Sequence, residues 1–443
     1  MASYTYTYNK QWLFNDRTKS NFGQPSGIEK TSAYDLKTAK IFPRVIPTSG
    51  YTSGAYYGYW ADEIVFDDFD ISGTYVSCGV NTSNIPIGQL LTRVFKLSEA
   101  KSSSSTKALR PNSYFMLFAD AELPAPGYDG LVKQTLPIGL FKVKESGITS
   151  LEGRHVSIIA EDWTGDRKGI RRYDTVGYWD GTDMTTLMGK LAYFRSQGEI
   201  VGFCAAINKV VRNKTDFEIL EAAAGFFGCN FIADDVVTAT NTKVTMKPWL
   251  TVCPSSAALD PTAAPLTFTE SSYNDLISWD SGNHGTLANS FRRIFEEYYS
   301  PFIPEDVTAE APQKLTINYT KYGDNAPSSY VITLSPSSGS GITIEINNPF
   351  AIADLEAQTP CNTAEAILNV LSKYHKTSRG KRLTVDIPGD PLIMPCAWYG
   401  FKQTLPAIVN NVLTTQVVGC VGMVSGLEFH FCGKTKIDCQ ANT

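Results

Sequence analysis

The chain has 443 residues, 43% of them hydrophobic, with a formal net charge of −5. That length allows several domains of roughly 100–150 residues, and the sign of the charge disfavours a basic nucleic-acid-binding chain. An aromatic content of 12%, with 34 Gly and 23 Pro, suits many short strands joined by turns.

Nine cysteines are scattered without a Cys-x-x-Cys pair, so neither a secreted disulfide framework nor a zinc site is expected, and the thiols are expected to be free and buried. The N-terminal Met-Ala-Ser-Tyr-Thr-Tyr-Thr-Tyr has no apolar signal core, and no run approaches the ~18 apolar residues of a membrane span. Folding in cytoplasm, as a soluble protein or part of an assembly, is the expectation.

Residues 1–56 are polar and aromatic, with Tyr4, Tyr6 and Tyr8 alternating; they read as a strand and then an extended arm that wraps a neighbour or frays. Residues 57–165 read as an all-β domain. Asp62, Glu63, Asp67, Asp68 and Asp70 interleave with Ile64, Phe66 and Phe69, which reads as a strand with a solvated acidic face rather than a calcium loop. Lys101–Lys107 is a Ser-rich loop. Residues 114–118, 136–143 and 156–163 read as strands, the second containing Pro137, Gly139 and Phe141, the third Ala160 and Asp162.

Residues 166–250 change character to an α+β helix-hairpin domain. Arg167, Lys168, Arg171 and Arg172 make a small basic run, read as a solvated interdomain loop in preference to a phosphate site. Thr215 and Glu218 form a capping box before Phe217, Leu220, Ala224 and Phe227 on one helical face, and Gly228 ends that helix. Residues 229–235 and 243–248 read as a hairpin packed on it, turning at 239–242.

Residues 251–358 read as a second β domain with an aromatic insertion at 291–302. Within it 315–319, 330–334 and Ile342, Ile344 and Ile346 alternate as strands, the last stopped at Asn348-Pro349. Residues 359–443 supply a helix with Ala364, Ile367, Leu368 and Leu371 on one face, a strand with Leu383, Val385 and Ile387, a tight turn at Gly389-Asp390-Pro391, and two or three closing strands over 412–431.

Catalytic motifs are missing from the sequence. The four histidines stand in no metal-binding spacing, no Gly-x-Ser-x-Gly elbow occurs and no phosphate loop is complete. Glu161-Asp162, Asp234-Asp235 and Glu296-Glu297 are adjacent acids; on strands such neighbours point to opposite faces, which makes poor dyads. No catalytic, cofactor or metal residue is assigned.

Three pieces stand in one order: Pro137-x-Gly139-x-Phe141 followed by a strand ending at Asp162; Thr215, Glu218, Leu220, Ala223, Ala224 and Gly228; and Ile344, Ile346, Asn348, Pro349, then Gly389, Asp390 and Pro391. This order resembles the hub proteins at the tail tip or baseplate of tailed bacteriophages, over roughly residues 57–435. The resemblance implies a mainly β chain with α+β insertions: two barrel-like hub domains (57–165 and 251–358, the latter completed by 359–443) plus helix-hairpin elements. It implies a structural, non-enzymatic virion protein that forms a homotrimer and joins a sixfold tail tube to a threefold tip. The implied partners are tube and distal tail proteins, tip, spike or fibre proteins, and the tape measure protein, with DNA only in transit and no membrane span. The rival readings are a glycan-cleaving β enzyme using paired carboxylates, and a receptor-binding tail protein displaying Tyr and Trp loops.

Overall fold

The computed structural model describes residues 6–8, 41–68, 75–78, 88–102, 108–124, 131–148, 155–167, 205–207, 218, 221, 224–225, 230–233, 235–253, 267–269, 277–280, 293, 296–297, 314–320, 326–333, 341–345, 350–352, 381–388, 398–431 and 434–442. Over these the protein is mostly β. The first part carries β1 (Tyr6–Tyr8), β2 (Ile41–Pro47), β3 (Gly50–Thr52), β4 (Ala55–Tyr59), β5 (Phe66–Asp68), β6 (Tyr75–Cys78), β7 (Leu90–Leu91), β8 (Arg93–Ser102), β9 (Tyr114–Pro124), β10 (Leu131–Ile148) and β11 (His155–Asp162), then a short helix α1 (Trp163–Arg167). The middle carries β12 (Ala205–Ile207), β13 (Asn230–Ala233), β14 (Val236–Ala239), β15 (Lys243–Lys247), β16 (Leu250–Cys253), β17 (Thr267–Thr269) and β18 (Ile277–Asp280). The last part carries β19 (Lys314–Thr320), β20 (Pro327–Thr333), β21 (Gly341–Glu345), β22 (Phe350–Ile352), β23 (Lys381–Pro388), β24 (Trp398–Val409), β25 (Val412–His430) and β26 (Lys434–Asn442).

A large sheet takes strands from both ends of the chain, in the order β18-β23-β26-β25-β6-β8-β11-β10-β9-β2. The join is the antiparallel pairing of β25 with β6, from Leu427↔Cys78 to His430↔Tyr75. Phe95, Phe115 and Phe141 from the first part pack together at ring separations of 5.8 to 6.1 Å, and Phe95 meets Phe431 from the last part at 6.4 Å. All four rings are buried. Burying each is worth roughly 2–3 kcal/mol, so the C-terminal strands share the first domain's core. Residues 115–119 are buried without alternation, as in a strand covered on both faces.

A second sheet, β1-β14-β15-β4-β3, lies against the first. A Cβ on Gly58 would meet the Pro47 carbonyl oxygen at 2.7 Å and Met116 at 2.9 Å, so the two layers touch backbone to backbone there. Trp60 staples them: its indole N–H donates to the Thr240 carbonyl at 2.8 Å, its ring lies 5.4 Å from Phe118, and the Arg44 guanidinium sits over it at 4.5 Å.

Three expectations change. No closed barrel forms among the described residues: the ends of the main path of the large sheet, β18 and β2, do not pair with each other. The expected hairpin of 229–235 with 243–248 divides between two sheets. β13 pairs with β16, and β14 pairs with β15 across a turn where the Thr240 N–H donates to the Lys243 carbonyl at 2.8 Å. The chain changes sheet at Asp235, whose carboxylate is held in the interior. Residues 412–430 form one 19-residue strand, bent where its register against β26 shifts between Val424 and Gly426. The helical residues around the capping box are described at 218, 221, 224 and 225, all helical. Of the N-terminal arm, Tyr6–Tyr8 adds to the β14 edge antiparallel.

Candidate functional site

The sequence motif around Gly139 and Asp162 meets at one buried polar cluster. β8 alternates Arg93, Phe95 and Leu97 inward, which puts a guanidinium on a core-facing position. Phe141 on β10 stands opposite Asp162 on β11. Pro137 and Gly139 flank a bulge of β10 against β9.

Asp162 is fully buried and Arg93 is 6% exposed. The Asp162 carboxylate accepts from the Arg93 backbone N–H at 2.8 Å, from Arg93 Nε at 3.3 Å and from the Thr164 N–H at 3.2 Å. The Thr164 hydroxyl donates to the same carboxylate. Arg93 Nη1 donates to the Ile138 carbonyl at 2.6 Å, and the guanidinium carbon lies 5.6 Å from the Phe141 ring centroid. A second carboxylate, Asp235, is 1% exposed. It accepts from the Leu140 N–H at 2.8 Å, Trp163 Nε1 at 2.6 Å and the Trp249 N–H at 3.3 Å.

Gly139 lies between the two halves. A Cβ there would sit 2.5 Å from Arg93 Nη2 and 3.2 Å from Asp235 Oδ2. The glycine therefore lets strand, cation and second carboxylate approach together. Buried charges of this kind persist only when paired and hydrogen-bonded. The cluster ties β8, β10, β11 and α1 to the loop that changes sheet at Asp235. Its two carboxylates spend their lone pairs on backbone, guanidinium, hydroxyl and indole donors and are buried. This is the chemistry of a clamp rather than of an acid/base pair.

A related tie stands nearby. The Asn230 side-chain oxygen accepts from the Gly88 and Gln89 N–H groups at 2.8 and 3.0 Å, and Glu221 accepts from the Leu90 N–H at 3.3 Å. These bonds hold the helical residues and β13 on β7, which pairs with β13 in parallel.

Of the motif residues, the structure gathers Pro137, Gly139, Phe141 and Asp162. Glu218 is half-buried on the helix; Thr215, Leu220, Gly228, Asn348, Pro349, Gly389, Asp390 and Pro391 lie outside the described residues. Arg93, Trp163, Thr164 and Trp249 are cluster members that sequence reasoning passed over, and Asp235 was weighed only as half of an acid pair. The signal for Arg93 was its inward position in an alternating strand. Glu161 and Asp162 do point to opposite faces: Glu161 reaches Lys144 at 3.0 Å on the surface. In the acidic segment, Asp62 is exposed, Ile64 is buried and Glu63 pairs with Arg44 at 2.9 Å. Among the described residues no group of three or more His, Cys, Asp or Glu is placed to hold a metal ion, and no helix is long and apolar enough to cross a membrane. Cys439 is buried and forms no disulfide.

No family model matches the sequence, and no curated protein matches it. The fold is similar, at low identity, to solved tail and baseplate proteins. One is the tail protein from Neisseria meningitidis MC58: 10% identity, TM-score 0.40, covering 91% of this chain and 96% of that one. Another is the 43 kDa tail protein of prophage MuSo2 from Shewanella oneidensis: 8% identity, TM-score 0.37, covering 90% and 98%. A third is a chain of the p2 virion baseplate in its activated conformation: 11% identity, TM-score 0.32, covering 99% of each. TM-scores below 0.5 leave this chain's architecture to be argued from its own strands.

Proposed function

We propose that this chain is a structural hub at the distal end of a phage-type tail. In this reading three copies form a ring that joins a sixfold tube to a threefold tip and surrounds the channel through which DNA leaves. The carrying observation is that Gly139, Phe141 and Asp162 meet at one buried clamp, with Pro137 at the bulge beside it. Of the residues that make the sequence resemble hub proteins, Gly139, Phe141 and Asp162 are spent on fixing strands in the interior. The ordered motifs supply the family. The partners are then tube and distal tail proteins, tip or fibre proteins and the tape measure protein, with DNA in passage only. The virion tail tip is the location, reached after assembly in the host cytoplasm.

The test is co-assembly with the tube protein of the same tail, alongside peptidoglycan zymography of the purified chain. The expected result is a complex that caps tubes at one end and no clearing band. A clearing band abolished by replacing a single acid would contradict the structural reading and favour the glycan-cleaving one.

A further inference from the structure

β24 and β25 pair without interruption from Trp398↔Met423 to Val409↔Val412. Their neighbours stop early. β17 meets β24 only at Gly400–Lys402, and β26 reaches no nearer the tip than Val421. From Gln403↔Val418 outward the hairpin is a two-stranded arm among the described residues, about 24 Å long at ~3.4 Å per residue. Asn410 and Asn411, at φ 51° and 63°, close it in the left-handed conformation of a type I′ turn. Around that turn Ile408, Val409, Val412 and Leu413 are 74%, 53%, 60% and 74% exposed. Together they present on the order of 400 Å² of apolar surface, the size of a functional patch.

The arm is also free of charge. Residues 403–427 contain no Asp, Glu, Lys or Arg, the longest such run in the chain. A charged fraction of 19% would place about five there. The same chain offers a surface of the same chemistry. β20 is the edge of the sheet β20-β19-β21 among the described residues. Residues 326–331 and 333 of this segment are half-buried or exposed, Val331 by 49%, and they lie in another charge-free run, 325–344. β20 carries a proline only at its first residue, Pro327, and beyond it has no Lys, Glu or bulge, so the edge from Ser328 onward accepts a further strand or an apolar contact.

We propose that the apolar tip of the β24–β25 arm in one copy docks on the outer β20 edge of a second copy. Copies that each carry a net charge of −5 repel, and two charge-free surfaces are where they can meet at least electrostatic cost. The contact is heterologous, tip to edge, the kind that builds a ring when the rotation between copies closes. A lipid surface suits the arm poorly: it has no Lys or Arg for headgroups, and its open edges leave backbone groups unsatisfied in hydrocarbon. The inference rests on the homo-oligomeric reading above and names the surfaces that build the ring.

The test is sedimentation velocity of the full chain from nanomolar to micromolar concentration, with three proteins: wild type, an arm variant carrying Ile408→Asp and Leu413→Asp, and an edge variant carrying Val331→Asp. All three sites are exposed, so far-UV circular dichroism and melting temperature should be unchanged. Wild type should associate, and each variant should raise the midpoint concentration at least ~100-fold. A one-to-one mixture of the two variants should recover dimers only, because each supplies one intact half of the contact. A monomeric wild type overturns both this inference and the ring. Association unaffected by either variant leaves the ring and overturns these surfaces. Flotation of wild type, but not the arm variant, with neutral phosphatidylcholine vesicles overturns the inference in favour of lipid.

Discussion

Gly139 is the residue on which the clamp closes. Adding a methyl there drives carbon to 2.5 Å from Arg93 Nη2, and relieving such overpacking costs about 1–3 kcal/mol. Gly139→Ala should therefore lower the urea midpoint without changing the slope of unfolding. Asp235→Ala strips one acceptor from three donors, including the Trp163 indole. Each orphaned buried donor costs about 1–3 kcal/mol, so the two buried ones, the Leu140 N–H and the Trp163 indole, set a total of about 2–6 kcal/mol, with a shift in tryptophan emission. A change below ~1 kcal/mol would mean that water replaces the carboxylate and the clamp is dispensable. Half of this cluster was legible beforehand. Pro137, Gly139, Phe141 and Asp162 stand out through the resemblance to hub proteins, whereas Arg93, though it faces inward on an alternating strand, was passed over. Asp235 and Trp249 join from 95 or more residues away along the chain from Leu140, and single-sequence periodicity carries no information about such partners.

At the scale of elements, alternation located strands such as β19, β21 and β23, because one buried face leaves a period of two, whereas β2, β8, β24 and β26 were not read as strands. Lys314–Thr320 alternates along its whole length, and Leu383 and Val385 are both buried. Pairing was less legible. Two strands joined by a turn of Thr, Asn and Thr look like one hairpin, yet the segment before Asp235 belongs to a different sheet from the segment after it. What decides this is the burial of the Asp235 carboxylate, a tertiary event. Trp60 joins the two large sheets through Thr240, Phe118 and Arg44. Trp60→Ala removes a hydrogen bond, ring packing and a cation–π contact, and should cost about 2–4 kcal/mol. Hydrogen exchange should show the loss first in β14 and β15, with β9 and β10 retaining protection. Equal loss in both sheets would argue that they unfold as one unit and that Trp60 is no joint.

For the whole molecule, the sheet that runs from β2 to β18 makes the chain's two ends interdependent: β6 and β25 pair, and Phe431 completes the core around Phe95. A chain cut before β23 should lose the fold of its first part as well, read as loss of cooperative melting in the fragment. An intact melt of that fragment would show an independent first domain. The proposed ring surrounds a conduit for DNA, and a basic wall would hold the cargo through counterion release. A neutral or acidic lumen is therefore expected, with the segment around Asp62, Asp67 and Asp68 as its candidate lining. The most direct measurement is a cryo-EM map of the tail particle that contains this chain. It should show three copies in a ring at the distal end of the tube, around an open lumen free of an Arg and Lys lining. A single copy attached to the outside of the tail, or a lumen lined by Arg and Lys, would contradict it.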